Sequence, residues 1–189
     1  MPSSTIAHTL FRADSLPRQG ALLVVANLLL IACAYIAIDL PFSPVPITGQ
    51  TFGIMLIAIV LGRTRAVAAV IAYLAEGALG LPVFAGGAAG PHVFVGPTGG
   101  YLVAFLPAAW IIGSLADQGW DRSYWLSLAA MFLGNVVVFV CGLAWLTTYV
   151  PSEGILVAGL YPFLPGAVIK AGVASAISPS LWRLLGRDR

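Results

Sequence analysis

Two charged side chains stand out inside apolar segments of this sequence, and they are the first candidates for chemistry. Glu76 belongs to a segment at 66–81, and Lys170 to one at 155–185. A charge within an apolar medium is costly unless it has a partner or a function. Lys170 follows the YPFLPG turn (161–166) by about one helical turn, where a cation can meet a ligand carboxylate or carbonyl, or pair with Glu76. The alternative is a lysine that extends to the membrane interface; the proline-broken helix start favours the ligand role.

Amide, hydroxyl and phenol groups are the next candidates. Gln50 and Thr51 open an apolar segment and can either cap its helix or bond an amide-like ligand; capping is the favoured role for Thr51. Tyr73 precedes Glu76 by three residues, so both share one helix face. Glu76 itself either contacts a ligand or makes a structural hydrogen bond to a loop amide. Asn135 lies in the middle of an apolar segment, where it bonds either a neighbouring helix or a ligand.

A glycine-rich stretch from Gly80 to Tyr101 connects two apolar segments. It contains seven glycines and three prolines and almost no charge, yet it carries Phe84 and other large apolar side chains. Such a loop either closes over a ligand or caps the membrane domain without one. Phe84 and Tyr101 are candidates to stack on an apolar ligand, and Gly99 and Gly100 to allow close approach to it.

Enzymatic motifs are absent from the sequence. There is no Ser-His-Asp set, no HExxH, no usefully spaced carboxylate pair and no Walker motif. His92 stands alone, which is not a metal site. We therefore expect a binding protein without a cofactor. A lipid enzyme in which Glu76, His92 and Tyr101 converge is a minor alternative, and a purely structural membrane subunit is another.

Composition places the chain in a membrane. Of its 189 residues, 60% are hydrophobic and 8% are charged, with a mean hydropathy of +0.98, whereas soluble domains carry about 25% charged residues. A net charge of +2 without a basic patch argues against nucleic-acid binding. Cys33 and Cys141 lie in apolar runs and are interpreted as packing residues. No cleavable signal peptide is expected, because the first apolar run follows a polar start.

Six apolar segments predict six transmembrane helices, in an all-α integral membrane protein. The segments cover 20–38, 48–61, 66–81, 100–117, 124–149 and 155–185. The second and third are shorter than the roughly 20 residues of a full span, as in helices that line a protein-buried cavity. We predict one membrane domain at 20–185, flanked by a cytoplasmic segment at 1–19 and a cytoplasmic tail at 186–189.

Charge placement predicts the orientation. With six spans, eight of the nine cations fall on one side, and Lys170 is the exception. The loops at 39–47, 82–99 and 150–154 contain no cation. We expect the protein to lie in the plasma membrane. The positive-inside rule then predicts that both termini are in the cytoplasm. A site built from the three loops would face the exterior.

Four motifs, in this order, resemble the BioY family, the biotin-specific substrate-binding (S) components of energy-coupling-factor (ECF) vitamin transporters. They are PFSPVPITGQTF (41–52), GLPVFAGG (80–87), GPTGGY (96–101) and YPFLPG with the following lysine (161–170). The resemblance covers about residues 20–182. It implies six helices with extracytoplasmic loops that close over the vitamin, and biotin as a transported ligand. It also implies a transmembrane coupling protein and a pair of cytoplasmic ATPases as partners, in addition to membrane lipid.

This sequence departs from the family pattern in three places. The family usually carries Asp three residues before the lysine, where both contact the ligand, but this chain has Ala167. Ala88 stands in a loop where some members carry Asn. The first helix lacks the strict Ala-x-x-x-Ala with which members meet the coupling protein. The resemblance thus implies a biotin-binding component in which Lys170 contacts the ligand, with Gln50, Asn135 or Glu76 available to the urea. An S component for another vitamin is the alternative.

Overall fold

The computed structural model describes Ile6 and residues 16–184. Within 16–184 the chain forms seven α-helices and one β-hairpin. The helices are α1 (Leu16–Tyr35), α2 (Gln50–Leu61), α3 (Arg63–Ala78), α4 (Gly99–Asp117), α5 (Tyr124–Leu146), α6 (Ile155–Gly159) and α7 (Leu164–Leu184), and the strands are β1 (Ala37–Leu40) and β2 (Ser43–Thr48). Residues 16–19 of the predicted N-terminal segment form the first turn of α1. Apart from Ile6, the remainder of that segment and the predicted tail at 186–189 lie outside the described residues.

Helix length follows the apolar segments closely. Among the described residues, four stretches are long and apolar enough to cross a membrane: α1, α4, α5 and the region 152–184. The predicted short pair is present, since α2 has 12 residues and α3 has 16. The sixth segment is interrupted: Pro162 lies between the short α6 and α7, and Pro165 is the second residue of α7. Proline cannot donate the backbone hydrogen bond that a continuous helix requires, but it is tolerated in the first turn.

The bundle has two chemically different ends. At one end, the backbone N–H of Arg63 donates to the Asp117 carboxylate at 3.3 Å, and the Trp182 indole N–H donates to the Asp121 carboxylate at 2.8 Å. These bonds bring together the α2–α3 turn, the α4–α5 turn and the last turn of α7, and we call this the arginine end. The hairpin, the 79–98 loop and the 147–163 region meet at the opposite hairpin end.

The sequence predicts a loop at 39–47, and the structure has a hairpin there. Strands β1 and β2 pair antiparallel, with Ala37 opposite Thr48 and Leu40 opposite Ser43. A two-stranded sheet accommodates the prolines of β2, because each strand is an edge that needs only half of its backbone donors. The Ser43 hydroxyl donates to the Ala158 carbonyl at 2.6 Å, so the hairpin is fastened to α6.

Glycines let the helices approach one another closely. A Cβ on Gly142 or Gly134 would overlap the side chains of Tyr101 or Ile112 respectively, which shows how tightly α4 and α5 pack. Gly113 of α4 faces backbone rather than side chain: its Cβ would lie 2.5 Å from the Arg63 Cα. The α2–α3 turn therefore rests directly on α4.

We expect Gly113→Ala to destabilise the protein by about 1–3 kcal/mol, because backbone cannot move aside as a side chain can. Thermal unfolding in detergent micelles measures this. The matched control is Gly172→Ala in α7, where the nearest atom, the Tyr124 hydroxyl oxygen, is 3.9 Å away. The control should be neutral or slightly stabilising, since alanine favours helix. Equal effects of the two changes would contradict the proposed close contact.

A buried carboxylate organises the arginine end. Asp121 is 1% exposed, and its backbone carbonyl also accepts the Ser178 hydroxyl proton. The Arg122 guanidinium lies over the Trp182 ring, 4.8 Å from its centroid. Burial raises the pKa of Asp121 to about 6, while the Trp182 hydrogen bond and the Arg122 charge act in the opposite direction.

The raised pKa of Asp121 predicts a pH dependence of stability. Between pH 4 and 6 the folded protein binds more protons at this site than the unfolded chain, so the free energy of unfolding should fall as pH rises. The expected loss is on the order of 1–3 kcal/mol. Asp121→Asn keeps an acceptor for Trp182 but cannot ionise, and unfolding curves across this pH range should lose that slope. If the free energy of unfolding of Asp121→Asn fell with pH as steeply as that of the wild type, the pH dependence would come from other groups.

Candidate functional site

A cavity of about 220 Å³ lies at the hairpin end. Its walls come from β2, α2, the 79–98 loop, α4, α5, the segment before α7 and α7 itself. The glycine-rich loop thus contributes a wall, as its binding interpretation predicts. The lining residues are mostly apolar and aromatic: Val45, Pro46, Thr48, Gln50, Thr51, Phe84, Ala85, Ala88, Val93, Thr98, Tyr101, Leu102, Phe105, Asn135, Val138, Phe139, Phe163, Ala167 and Lys170.

Lys170 is the charged side chain of this lining. Its ammonium group donates to the Thr48 carbonyl oxygen and to the Thr51 hydroxyl oxygen, both at 2.8 Å. These bonds connect α7 to β2 and to the first turn of α2. Thr51 therefore accepts from the lysine, and no side-chain cap is found at the start of α2. The predicted pairing of Lys170 with Glu76 is not formed.

Gln50 and Tyr73 form a polar chain behind the cavity wall. The Thr48 hydroxyl donates to the Gln50 amide oxygen at 3.0 Å, and the Gln50 amide nitrogen donates to the Tyr73 hydroxyl at 2.6 Å. The Tyr73 hydroxyl then donates to the Val83 carbonyl at 3.0 Å. Gln50 lines the cavity, whereas Tyr73 is fully buried behind it. This series of hydrogen bonds joins the hairpin, α2, α3 and the glycine-rich loop.

Aromatic side chains supply much of the apolar surface. Phe84 meets Tyr73 and Phe94 edge-to-face, with ring centroids 5.4 and 5.6 Å away. Its ring also covers Gly77, where any side chain would overlap it. Tyr101 lines the cavity and donates its hydroxyl proton to the Gly159 carbonyl at 2.9 Å. Both residues line the cavity, and their stacking on a ligand stays a prediction.

Asn135 presents an amide with unused hydrogen-bonding capacity. It is 7% exposed and lines the cavity from α5. No described residue donates to or accepts from its side chain, so the predicted bond to a neighbouring helix is not formed among residues 16–184. No fully buried side-chain nitrogen or oxygen among the described residues lacks a hydrogen-bond partner, so the Asn135 amide is accessible from the cavity, where a ligand can supply partners.

Three other predicted site residues lie outside the cavity lining. The Glu76 carboxylate accepts a hydrogen bond from the Asn27 amide at 3.1 Å, which joins α3 to α1. Gly99 and Gly100 pack instead against the Phe94 backbone and against Trp145. A ligand role for Glu76, Gly99 and Gly100 stays a prediction, which the position of the cavity does not support.

Several lining residues were missed by the sequence reasoning. Phe105 follows Tyr101 by four residues, and Phe139 follows Asn135 by four, so helical periodicity from the chosen residues would have found both. The lining role of Thr48 depends on the hairpin, which the sequence reasoning did not predict. Phe163 and Thr98 carry no signal beyond their place next to the prolines.

The arrangement suits a small, largely apolar ligand with a few polar groups. Ring surfaces can pack on the aromatic walls, and polar atoms can meet Lys170, Thr51, Gln50 or Asn135. In the part of the chain that the structure describes, no cluster of His, Cys, Asp or Glu could hold a metal ion. A membrane-embedded helical bundle with a ligand-sized cavity under structured loops is a solute-binding membrane protein.

The chain belongs to the BioY family, whose family model matches residues 6–187. It is 40% identical to the biotin transporter BioY of Rhizobium etli over 149 residues, which cover 74% of this chain and 79% of the relative. It is 38% identical to the biotin transporter BioY of Thermotoga maritima over 148 residues, which cover 78% and 86% respectively.

A solved structure supports the fold independently. A crystal structure of the S-component for biotin from an ECF-type ABC transporter matches with a TM-score of 0.79 and 31% identity. The match covers 90% of this chain and 95% of that chain. The predicted membrane fold and family are therefore confirmed, and the chain is a transporter component rather than an enzyme.

The polar chain behind the cavity predicts a stability effect. Tyr73→Phe removes the bond to Val83 and leaves the Gln50 amide nitrogen without its acceptor, which should cost about 1–3 kcal/mol. Thermal unfolding in micelles measures the loss. Tyr161→Phe is the matched control, since Tyr161 is 54% exposed and should tolerate the change. A Tyr73→Phe protein as stable as the control would show that the hydrogen bonds from Thr48 through Gln50 and Tyr73 to Val83 do not stabilise the loop.

Proposed function

We propose that this chain binds biotin from outside the cell and serves as the substrate-capturing component of biotin uptake. The observation that carries the proposal is the cavity, lined by aromatic rings and a few polar groups, in a chain that belongs to the BioY family. Relatives at 38–40% identity carry the name biotin transporter.

Biotin matches the chemistry of the lining. It has a flat bicyclic ring system with an apolar thioether, a polar urea and a carboxylate on a short chain. Phe84, Tyr101 and Phe105 offer surface to the rings, and aromatic faces favour flat apolar groups. Polar side chains on three helices remain for the urea and the carboxylate: Gln50 on α2, Asn135 on α5 and Lys170 on α7.

The proposed topology has six crossings with both termini in the cytoplasm. Arg63, Arg65, Arg122 and Arg183 flank the turns and helix end at the arginine end, whereas Lys170 lies toward the hairpin end. The positive-inside rule then places the arginine end in the cytoplasm. The cavity would accordingly open toward the exterior, on the side from which a vitamin is captured. The short α2 and α3 would cross beside longer neighbours that cover their ends.

We also propose that a transmembrane coupling protein and cytoplasmic ATPases complete the transporter. The matching crystal structure is described as part of an ECF-type ABC transporter, and the present chain has no nucleotide-binding motif of its own. The small residues Ala26, Cys33 and Ala34 of α1 are buried against the rest of the bundle. Docking through α1 would therefore use its exposed face, which carries Ala21, Val25, Leu28 and Ala32.

The direct test is equilibrium binding of radiolabelled biotin to the purified protein, freed of endogenous biotin. We expect saturable binding, and Lys170→Ala should weaken it about tenfold or more, because a charge-assisted hydrogen bond is lost. Arg65→Ala is the matched control, since it removes a cation of α3 that does not line the cavity. Absence of saturable binding by the wild-type protein would refute biotin as the ligand.

Ala167 favours one second candidate, an S component for a different vitamin. This residue lines the cavity where the family pattern has Asp, so a ligand lacking a urea could also be accommodated. Competition of labelled biotin by a panel of unlabelled vitamins separates the two functions. Displacement by another vitamin at lower concentration than by biotin would favour the second.

A further inference from the structure

We infer that a groove between α4 and α5, on the membrane-facing side of the bundle, binds one acyl chain of a phospholipid, and that this chain supports the glycine-rich loop. The groove lies at the hairpin end and shares no lining residue with the ligand cavity. It is independent of the proposed function, because it concerns the lipid beside the protein rather than the solute within it.

The shape of the groove follows from the sizes of its residues. Its volume is about 370 Å³, within the roughly 300–1,000 Å³ of small-molecule sites. Gly99 and Gly100 are buried and form its floor, whereas Val103 is 53% exposed and Trp145 is 38% exposed. A Cβ on Gly100 would lie 2.2 Å from the Trp145 Cβ, so glycine is required for the close approach of α5 to this floor.

The groove extends from the membrane interface into the hydrocarbon region. Both α4 and α5 are long and apolar enough to cross a membrane. With 23 residues α5 is about 35 Å long, slightly more than the roughly 30 Å of the hydrocarbon core. Cys141, which lines the groove, lies about 8 Å before the end of α5. Trp145 and Tyr149 follow it, and these residue types are enriched at the interface.

The chemistry of the lining favours a hydrocarbon chain. No charged side chain is among the described lining residues, and the Trp145 indole N–H already donates to the Gly96 carbonyl at 2.9 Å. Water or a headgroup would therefore find few partners there. The groove is continuous with the exposed apolar surfaces of the two spans, which include Trp110 on α4 and Val140 on α5, so a chain of the adjacent leaflet can enter it.

The concave shape distinguishes this site from the rest of the lipid-facing surface. A chain in the groove contacts α4, α5 and Phe94 of the loop together, whereas a chain on a single helix contacts one convex face. Because dispersion contacts are individually small and additive, the chain in the groove is held more tightly and exchanges more slowly than the surrounding lipid.

The same chain would lie against the loop. The Phe94 ring lines the groove and meets Phe84 edge-to-face at 5.6 Å, and Phe84 lines the ligand cavity. The Tyr149 hydroxyl donates to the Val95 carbonyl, next to the bond from Trp145 to Gly96. An acyl chain thus packs on the segment of the loop that these two bonds fasten to the end of α5.

Photo-crosslinking of the wild-type protein tests the site directly. The protein is placed in nanodiscs with phosphatidylcholine that carries a diazirine near the middle of one acyl chain, and labelled peptides are mapped by mass spectrometry. We expect residues 94–103 and 141–145 to carry severalfold more label than Val168 and Ile169, which are 71% and 66% exposed near the hairpin end of α7. Equal labelling would show bulk lipid only and overturn the inference. Less label in the groove than on α7 would show that a second copy or another protein covers it, with the same consequence.

A variant that fills the groove tests the assignment further. Ala144→Trp places a ring in the groove and should abolish the excess label at residues 94–103. Val168→Trp is the matched control, because it adds the same ring to α7 outside the groove and should keep that excess. Ala144 does not line the ligand cavity, so thermal unfolding and ligand binding both report whether the variant is folded. Excess label that persists in folded Ala144→Trp would overturn the inference. The wild-type comparison stands whether or not the variant folds.

Amide hydrogen exchange tests the support of the loop. Diphytanoyl phosphatidylcholine has a methyl branch at every fourth carbon, so its chains pack less closely in a groove than the linear chains of palmitoyl-oleoyl phosphatidylcholine. We expect faster exchange at residues 93–99 in nanodiscs of the branched lipid and unchanged exchange in the middle of α7. In Ala144→Trp the difference should disappear, because the ring replaces the chain. Equal exchange of residues 93–99 of the wild type in both lipids would refute the support of the loop by a chain.

Discussion

The hydrogen bonds of a single ammonium group hold the hairpin end together. Lys170 donates to Thr48 and Thr51 and so connects α7 to β2 and α2, which lie 122 and 119 positions earlier in the chain. Where water is scarce, such a group has few alternative partners, and its position is correspondingly well determined. The polar chain from Thr48 through Gln50 and Tyr73 to Val83 extends this connection to the glycine-rich loop.

Close helix packing provides the rigid frame for these bonds. Gly113, Gly134 and Gly142 allow the backbone at Arg63 and the side chains of Ile112 and Tyr101 to approach where any side chain on the glycine would overlap them. Without a solvent-driven hydrophobic effect between membrane helices, such close contacts are a main source of their association. At the hairpin end, the aromatic side chains of the glycine-rich loop, α4 and α5 surround the cavity.

Much of the fold could be predicted from the sequence. The low charge content indicated a membrane protein, and apolar runs located the helices to within a few residues. The short second and third helices and the proline break in the sixth segment were also evident. The hairpin was not, because Pro44 and Pro46 argue against a strand unless both strands are edges, and strand pairing is a contact between segments rather than a local property.

The site was predicted only in part, for a related reason. Gln50, Phe84, Tyr101, Asn135 and Lys170 do line the cavity, and each stood out as a polar or aromatic residue at a helix start, in an apolar run or in the loop. Glu76 stood out for the same reason, yet it bonds Asn27 of α1 instead. A charge in an apolar run signals that a partner must exist, but it does not say whether that partner is protein or ligand.

Residue types and their order along the chain thus determined the membrane location, the helix positions, the family and the short list of polar side chains. Tertiary structure alone decided which of those side chains have their hydrogen bonds satisfied within the protein and which still face the cavity. The physical reason is that hydrogen bonding is satisfied in three dimensions: Glu76 meets Asn27 across 49 positions of sequence, and Lys170 reaches Thr48 across 122.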